Sequence, residues 1–177
     1  MRHISTALAI TLVSGVVFAE QRHAGAHVHG LNHATIVLEG NRLQIAYEFP
    51  AGQLAEHGHD EHKHDEHDDE EHELSEKLEA IDSVFAMVRL PDNAQCKEMN
   101  VTHSVTQVGG NDKEHAGHYD ALIESTLECS AANNLTNLSF APAFERFDDL
   151  EKIEVEGVIG SKALSQTVTA TSASLAF

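Results

Sequence analysis

Alternating apolar and polar positions predict a pair of strands in the first third of the chain. Between residues 42 and 49 every second side chain is a large apolar one, which is the period of a half-buried strand. Residues 34–39 have the pattern of a preceding strand, and Gly40-Asn41 between the two is a two-residue hairpin signal. The pattern therefore predicts a hairpin whose second strand ends at Pro50.

A helical period follows between residues 74 and 88. Apolar side chains recur there at spacings of four, three, four and three, and they are Leu74, Leu78, Ile81, Phe85 and Val88. Such a stripe predicts one amphipathic helix. The acidic residues before it favour the positive end of the helix dipole.

Two further strands are predicted around a turn at residues 109–112. The apolar face of the first consists of Met99, Val101, His103 and Val105, and that of the second consists of Tyr119, Ala121, Ile123, Ser125, Leu127 and Cys129. Folded about the turn, Cys96 and Cys129 face each other, but in simple register the two apolar faces point opposite ways. A bulge of one residue in either strand restores the phase; otherwise the hairpin is wrong.

The last third of the chain predicts a short helix and a final hairpin. The helix follows Pro142, and residues 152–159 and 163–171 have the pattern of strands joined at Gly160-Ser161. Three phenylalanines near the helix have the spacing of core packing residues: Phe140, Phe144 and Phe147.

The order of these elements is hairpin, helix, hairpin, short helix, hairpin. It predicts an α+β fold, with an antiparallel β-sheet built from hairpins and with one longer and one short helix packed on it. Parallel α/β winding requires single strands that alternate with helices, and the pattern lacks them. With 177 residues, the chain forms one domain or at most two small ones.

Composition and charge narrow the choice of partners. The formal net charge is -18, so nucleic acids and anionic membranes, which present negative surfaces, are excluded as natural partners. Cations are the expected ligands of such a chain.

The N-terminus predicts export. A short, weakly positive start and an apolar run over residues 4–17 precede Val17-Phe18-Ala19, which fits a signal-peptidase site. We therefore expect residues 1–19 to be a signal peptide and residues 20–177 to be a single soluble metal-binding domain in a Gram-negative periplasm. The alternative is a membrane anchor, but the run is shorter than the ~20 apolar residues that span a bilayer.

Cysteine use agrees with export. The chain has two cysteines, Cys96 and Cys129, without a Cys-x-x-Cys motif. In an oxidising compartment a pair of cysteines predicts one disulfide. The alternative is that the two thiols join a metal site.

Residues 57–72 carry the strongest chemical signal. Fourteen of these sixteen side chains are imidazoles or carboxylates, which are zinc ligands, and none is apolar. We therefore expect residues 56–73 to form a loop that is flexible when no metal is bound. The predicted metal ligands are His27, His29, His57, His59, His62, His64, His67, His72, His115 and His118.

The predicted ligands include two kinds of site, one held by the fold and several in the loop. His27-Val28-His29 places two imidazoles on the same side of an extended backbone, so His27, His29 and His57 are predicted to form one site held by the fold. The loop is predicted to hold several exchangeable sites. His103, alone on an apolar face, is predicted to be a satisfied core or edge residue.

Several features together resemble the ZrgA-type periplasmic zinc-uptake proteins. They are the signal peptide, His27-Val28-His29-Gly30, the strand pair ending in Pro50, His57 with its histidine-rich insertion, residues 78–85, Cys96, and Cys129 followed by Phe144. The family usually has Gly-Phe-Glu-His where Leu54-Ala55-Glu56-His57 stands here, so the last two positions match. The resemblance implies zinc (Zn²⁺) capture that assists an inner-membrane importer of the ABC type or its binding protein.

Two function classes compete. The first is zinc capture for import; the second is a periplasmic buffer or sponge for zinc, copper or nickel without a transporter partner. An enzyme is not expected, because zinc hydrolases need three fixed ligands, an open position and a nearby base, and no His-Glu-x-x-His motif occurs. A merely solvated charge run would not require six histidines.

Overall fold

Residues 31–54, 74–108 and 118–177 are described by the computed structural model, and a six-stranded mixed sheet organises them. Its strands are β1 (Leu31–Glu39), β2 (Arg42–Pro50), β3 (Cys96–Val108), β4 (His118–Cys129), β6 (Lys152–Ile159) and β7 (Lys162–Thr169). They are ordered β3-β4-β2-β1-β6-β7. A second sheet of two strands pairs β5 (Asn137–Ser139) with β8 (Ser174–Ala176).

The predicted first hairpin is confirmed. β1 and β2 pair antiparallel from His33 opposite Glu48 to Glu39 opposite Arg42. Gly40 in the turn has a φ of 61°, a conformation that glycine adopts without steric cost. Apolar side chains at alternate positions of both strands are buried on the same face of the sheet.

The hairpin of β3 and β4 contains the bulge that the phase conflict predicted. Cys96 pairs with Cys129 and Glu98 with Leu127, but Asn100 pairs with Thr126, so Met99 is the extra residue. Its side chain is 57% exposed, and the prediction that it belongs to the apolar face is therefore wrong. Beyond the bulge, the half-buried positions of β3 lie opposite the buried positions of β4, as the apolar pattern requires.

The prediction of an antiparallel sheet is wrong at one seam. β6 and β7 form the predicted last hairpin, but β6 also pairs with β1 in parallel, from Leu31 opposite Lys152 to Leu38 opposite Ile159. At Gly157 a Cβ would overlap the backbone carbonyl of Ile36 in the neighbouring strand. The absence of a side chain there permits the close approach of β6 to β1.

The helices are shorter than the pattern predicted. Residues 74–79 are helical (α1) and Ala141–Arg146 form α2, the predicted short helix, but the longer helix expected over residues 74–88 does not continue. Ser83 is extended and its side chain accepts a hydrogen bond from the Phe85 amide. A 3-10 turn then buries Val84 and leaves Phe85 40% exposed. Other 3-10 turns cover Ala51–Leu54, Asp92–Ala94 and Ala132–Asn134.

One hydrophobic core lies on a single face of the sheet. The strands contribute Ala34, Ile36, Leu38, Leu43, Ile45, Tyr47, Phe49, Ala121, Ile123, Leu127, Ile153 and Val155, and the segments that pack on them contribute Leu78, Ile81, Val84, Met87, Val88, Leu138, Phe140 and Phe147. Two of the three phenylalanines predicted as core are buried, and Phe144 is half-buried. The part of the chain that the structure describes is thus β-rich with two small helices, and the predicted loop over residues 56–73 lies outside it.

Candidate metal centre

Three histidine-bearing segments, residues 27–29, 57–72 and 115–118, adjoin strands at the same end of the sheet. Pro50 at the end of β2 pairs with Asp120, and Val108 at the end of β3 pairs with His118. Leu31 at the start of β1 belongs to the same end, since β1 and β2 run antiparallel. We call this the histidine end, defined by Leu31, Pro50, Val108 and His118. The three strand spacings from β1 to β3 amount to about 14 Å in total.

The first residues of β1 are held by a buried polar pair. Asn32 is fully buried, and its Nδ2 donates a hydrogen bond to the Tyr47 hydroxyl at 2.8 Å. Burial raises the pKa of Tyr47 well above its usual value, while the hydrogen bond from Asn32 lowers it by less. Because a one-residue slip of β1 would break this pair and turn its apolar side chains to the other face, Asn32 fixes the register immediately after His29-Gly30-Leu31.

The segment that leads toward the histidine-rich loop is also anchored. After Pro50 the chain forms the 3-10 turn Ala51–Leu54, in which Nε2 of Gln53 donates to Oδ1 of Asp149 at 3.2 Å. The ring of Phe49 packs against Phe147 with centroids 5.0 Å apart. On the far side of the loop, Leu74 and Leu78 of α1 are buried in the core. Both ends of the loop are therefore attached to well-packed residues.

The third histidine-bearing segment, with His115 and His118, follows β3 and leads into β4. At the opposite end of the β3–β4 hairpin, Cys96 and Cys129 form the predicted disulfide. Beside the bulge, Oε1 of Glu98 accepts hydrogen bonds from Ser125 Oγ at 2.6 Å and from the Val84 amide at 3.0 Å. The carboxylate thus ties β3, β4 and the segment that follows α1 into one unit.

The structure leaves the predicted ligand set untested. Nine of the ten predicted ligands fall outside the described residues: His27, His29, His57, His59, His62, His64, His67, His72 and His115. The tenth, His118, is described only as the first backbone position of β4. Within residues 31–54, 74–108 and 118–177, no three His, Cys, Asp or Glu side chains form a group that could hold a metal ion.

Two described histidines have other roles. Nε2 of His103 lies 2.6 Å from the Ile81 carbonyl oxygen, to which it donates when the proton is on that nitrogen, and the ring is half-buried. This confirms the prediction that His103 is a satisfied residue. His33 lies at the histidine end, with its Nδ1 3.8 Å from Oε2 of Glu154, a partly exposed pair of the kind that contributes little to stability.

Sequence reasoning missed the buried polar residues of this end. Asn32 is on the same face as Ala34 and Ile36, so its parity alone marks it as a buried amide. Asp120 is only 7% exposed although β4 buries mainly its odd-numbered positions. Asp120 thus places a carboxyl group, largely out of contact with solvent, beside Pro50 at the histidine end.

Comparison with known families identifies the chain. The sequence model of a family described as "ZrgA family zinc uptake protein" matches residues 26–177. The chain belongs to the ZrgA family. No curated protein matches it. The match confirms the resemblance, begins just before the His-x-His-Gly motif and includes all three histidine-bearing segments.

Family membership sets the broad role of the chain. A ZrgA protein is a zinc uptake protein, which indicates metal binding and transport rather than catalysis. None of the described helices is long and apolar enough to cross a membrane. The disulfide is compatible with an oxidising compartment such as the periplasm.

Proposed function

We propose that the protein captures zinc in the periplasm through its histidine-rich acidic loop and a site held by the fold, and that it assists zinc import. The observation that carries this proposal is that Leu31, Pro50 and His118, from which the three histidine-bearing segments extend, lie at one end of the sheet. The family match to zinc uptake proteins supports it independently.

Chain length allows the three segments to share a metal ion. His29 is two residues from Leu31, His57 is three residues from Leu54, and His115 is three residues from His118. Since each residue spans at most ~3.6 Å, the Cα atoms of these histidines can be no more than about 7 to 11 Å from the Cα atoms of their attachment points. Strand ends one to three spacings apart lie within such a reach, so His27, His29 and His57 can supply three ligands to one zinc ion, which leaves a fourth position for another ligand.

The loop and the folded site perform different tasks in this proposal. The carboxylates between residues 57 and 72 raise the local concentration of divalent cations, and closely spaced imidazoles exchange the metal between overlapping sites. The folded site holds zinc more firmly, because its attachment points are fixed by Asn32 and Gln53 before the metal arrives.

Export and the recipient of the metal complete the proposal. Residues 1–19 have the pattern of a cleavable signal peptide, which supports export of the mature chain to the periplasm. The recipient is an inner-membrane zinc importer of the ABC type or its binding protein. The rate of zinc transfer to an isolated importer receptor, measured with a competing chelator in solution, tests this last step. Direct transfer from the chain should continue when the chelator captures all free zinc.

Zinc calorimetry tests the division of labour. The mature protein is compared with a variant in which residues 56–73 are replaced by a short Gly/Ser linker, and with His103→Gln as the control for loss of an unrelated imidazole. We expect one tight site to survive loop replacement and His103→Gln to bind as the original chain does. Loss of all binding with the loop would favour a metal buffer, and absence of zinc binding in the original chain would refute capture.

Binding should also depend on pH. Histidine must be neutral to bind a metal, and its ordinary pKa is about 6.5. The measured zinc affinity should therefore fall as the pH is lowered from neutrality through that value. An affinity that stays constant between mildly alkaline and mildly acidic buffer would exclude histidine ligation.

A further inference from the structure

Within the described residues, two buried amide oxygens at the histidine end lack a hydrogen-bond partner. They are Oδ1 of Asn32, whose side chain is fully buried, and Oε1 of Gln53, whose side chain is half-buried. A buried acceptor without a donor destabilises a fold, and the large majority of buried polar side-chain atoms in proteins are hydrogen-bonded. We therefore expect these two oxygens to receive a donor that the described residues do not supply.

The nitrogen of each amide is already engaged. Nε2 of Gln53 donates to Oδ1 of Asp149 at 3.2 Å. Because an ionised carboxylate only accepts hydrogen bonds, this contact fixes the nitrogen toward Asp149 and leaves Oε1 on the other side of the amide. Nδ2 of Asn32 donates to the Tyr47 hydroxyl at 2.8 Å, so Oδ1 is the remaining atom of that amide. Each side chain is thus held by its nitrogen and presents an acceptor.

Both acceptors lie beside points where histidine-bearing segments join the fold. Asn32 follows Leu31, the residue at which the first of these segments enters β1. Gln53 precedes Leu54, the last residue of the 3-10 turn before the histidine-rich residues. The two oxygens therefore stand within one residue of the attachment points of two predicted groups of zinc ligands.

The composition of the adjoining sequence selects an imidazole as the donor. Between residues 55 and 73 the side chains that can donate a hydrogen bond at neutral pH are six histidines and Lys63, and burying a lysine ammonium is far more costly than burying a neutral ring. An imidazole that binds zinc through one ring nitrogen keeps an N–H on the other. In zinc sites that N–H is almost always donated to a carboxylate, a carbonyl oxygen or water.

We propose that Oδ1 of Asn32 and Oε1 of Gln53 accept the ring N–H groups of zinc-bound histidines. This inference rests on the proposed function and adds to it two positioning residues that are not themselves zinc ligands. Each acceptor selects the tautomer of its imidazole and fixes the orientation of the ring. Because both amides are held before zinc binds, less freedom is lost on binding. Zinc binding also satisfies two buried oxygens, which increases the affinity.

Zinc affinity of the mature chain, measured with a competing chelator so that only the tightest site reports, tests the proposal at Asn32. Asn32→Leu and Tyr47→Phe both remove the hydrogen bond between these residues, but only the first removes the acceptor oxygen. We expect Asn32→Leu to lower the affinity by about tenfold or more and Tyr47→Phe to lower it less. Equal losses in the two variants would overturn the role of Asn32, because they would show that only the buried pair matters.

Gln53 gives a second test that does not alter a fully buried residue. Gln53→Met keeps the length of the side chain and removes its amide, and Gln44→Met makes the same change at another half-buried position of β2. Gln53→Met should lower the zinc affinity by about tenfold, whereas Gln44→Met should leave it unchanged. Equal affinities of the two variants would overturn the role of Gln53.

Nuclear magnetic resonance of the histidine rings separates positioning from a merely structural role. In the zinc-loaded original chain, proton–nitrogen correlation spectra should show ring N–H protons that are protected from exchange with water. Asn32→Leu and Gln53→Met should each remove such a signal, and Gln44→Met should keep all of them. Tight zinc binding with every protected signal retained in both acceptor variants would overturn this inference and leave zinc capture standing. Absence of zinc binding in the original chain would overturn both.

Discussion

The two ends of the sheet are built in different ways. The end opposite the histidine end contains the turns at Gly40-Asn41 and Gly160-Ser161 and the disulfide between Cys96 and Cys129; we call it the turn end. Backbone hydrogen bonds close it, from the Cys129 amide to the Asn41 carbonyl at 2.8 Å and from the Gly160 amide to the Leu38 carbonyl at 2.9 Å.

The histidine end depends on side chains instead. Its attachments include the Asn32–Tyr47 pair and the Gln53–Asp149 hydrogen bond. Backbone pairing and a covalent bond thus secure the turn end, while side-chain contacts hold the end that lies beside the candidate metal ligands.

The largest expected effect on stability comes from removing the disulfide at the turn end. Replacing both cysteines, Cys96→Ser with Cys129→Ser, should lower the free energy of unfolding by about 3 to 4 kcal/mol, because the bond joins residues separated by 33 positions. Urea unfolding measures this loss. Zinc affinity, measured under conditions where circular dichroism shows the variant folded, should stay unchanged. A parallel loss of affinity would mean that the two ends are not independent.

Zinc binding should stabilise the histidine end. At a free concentration of ~100 times the dissociation constant, a ligand that binds only the folded state stabilises it by about 2.7 kcal/mol. Hydrogen exchange should show added protection at His33, Phe49 and Ala121. The amides of Cys129 and Gly160, which donate the hydrogen bonds of the turn end, should respond only through global unfolding. Equal local protection at both ends would contradict the comparison.

Asn32→Ala should weaken the histidine end more than a matched change weakens the turn end. The substitution leaves the buried Tyr47 hydroxyl without its partner, at a cost of about 1 to 2 kcal/mol. Asn41→Ala removes an exposed hydrogen bond to Glu128, and we expect a change within about 0.5 kcal/mol. Chemical denaturation of both variants measures the difference. Equal losses would show that the buried pair has no special role.

High pH should also act through Tyr47. Its pKa in the folded state is raised by burial above the unfolded value of 10.0. The unfolded chain therefore loses its proton first, so stability is complete below pH 10 and decreases as the pH rises above it, by up to about 1.4 kcal/mol per pH unit. Tyr47→Phe should flatten this dependence. Slopes, rather than absolute stabilities, are compared, because the variant also loses the hydrogen bond from Asn32.

Local sequence patterns predicted the hairpins well, because period-two alternation and a glycine turn are both local. The conflict of phase between β3 and β4 even predicted the bulge, which lies at Met99. The parallel seam between β1 and β6 could not be predicted, since no local pattern states which distant strand will lie beside Leu31–Glu39. β5 and β8, with three residues each, are too short to show a period.

The helix over residues 74–88 shows a second limit. Its stripe included Phe85, but Ser83 offers the backbone an alternative hydrogen bond, and such side chains compete with helix formation. The chain then buries Val84 and Met87 instead. For the metal site, the sequence named the histidines but could not show that their three segments join one end of the sheet, because that follows only from the strand order.

The parallel seam between β1 and β6 also has a kinetic meaning. β1 is the first of the described strands to be synthesised, yet its parallel partner β6 begins at Lys152, which is 152 − 31 = 121 residues after Leu31. Contacts so distant along the chain form slowly, so we expect the two hairpins on one side of the seam to assemble early and β6 to dock last. Pulse-labelled hydrogen exchange during refolding should show Ile153 and Val155 gaining protection after Ile45 and Ile123. Until β6 docks, one edge of β1 is unpaired. We therefore expect aggregation to be most favoured before the last third of the chain has been synthesised.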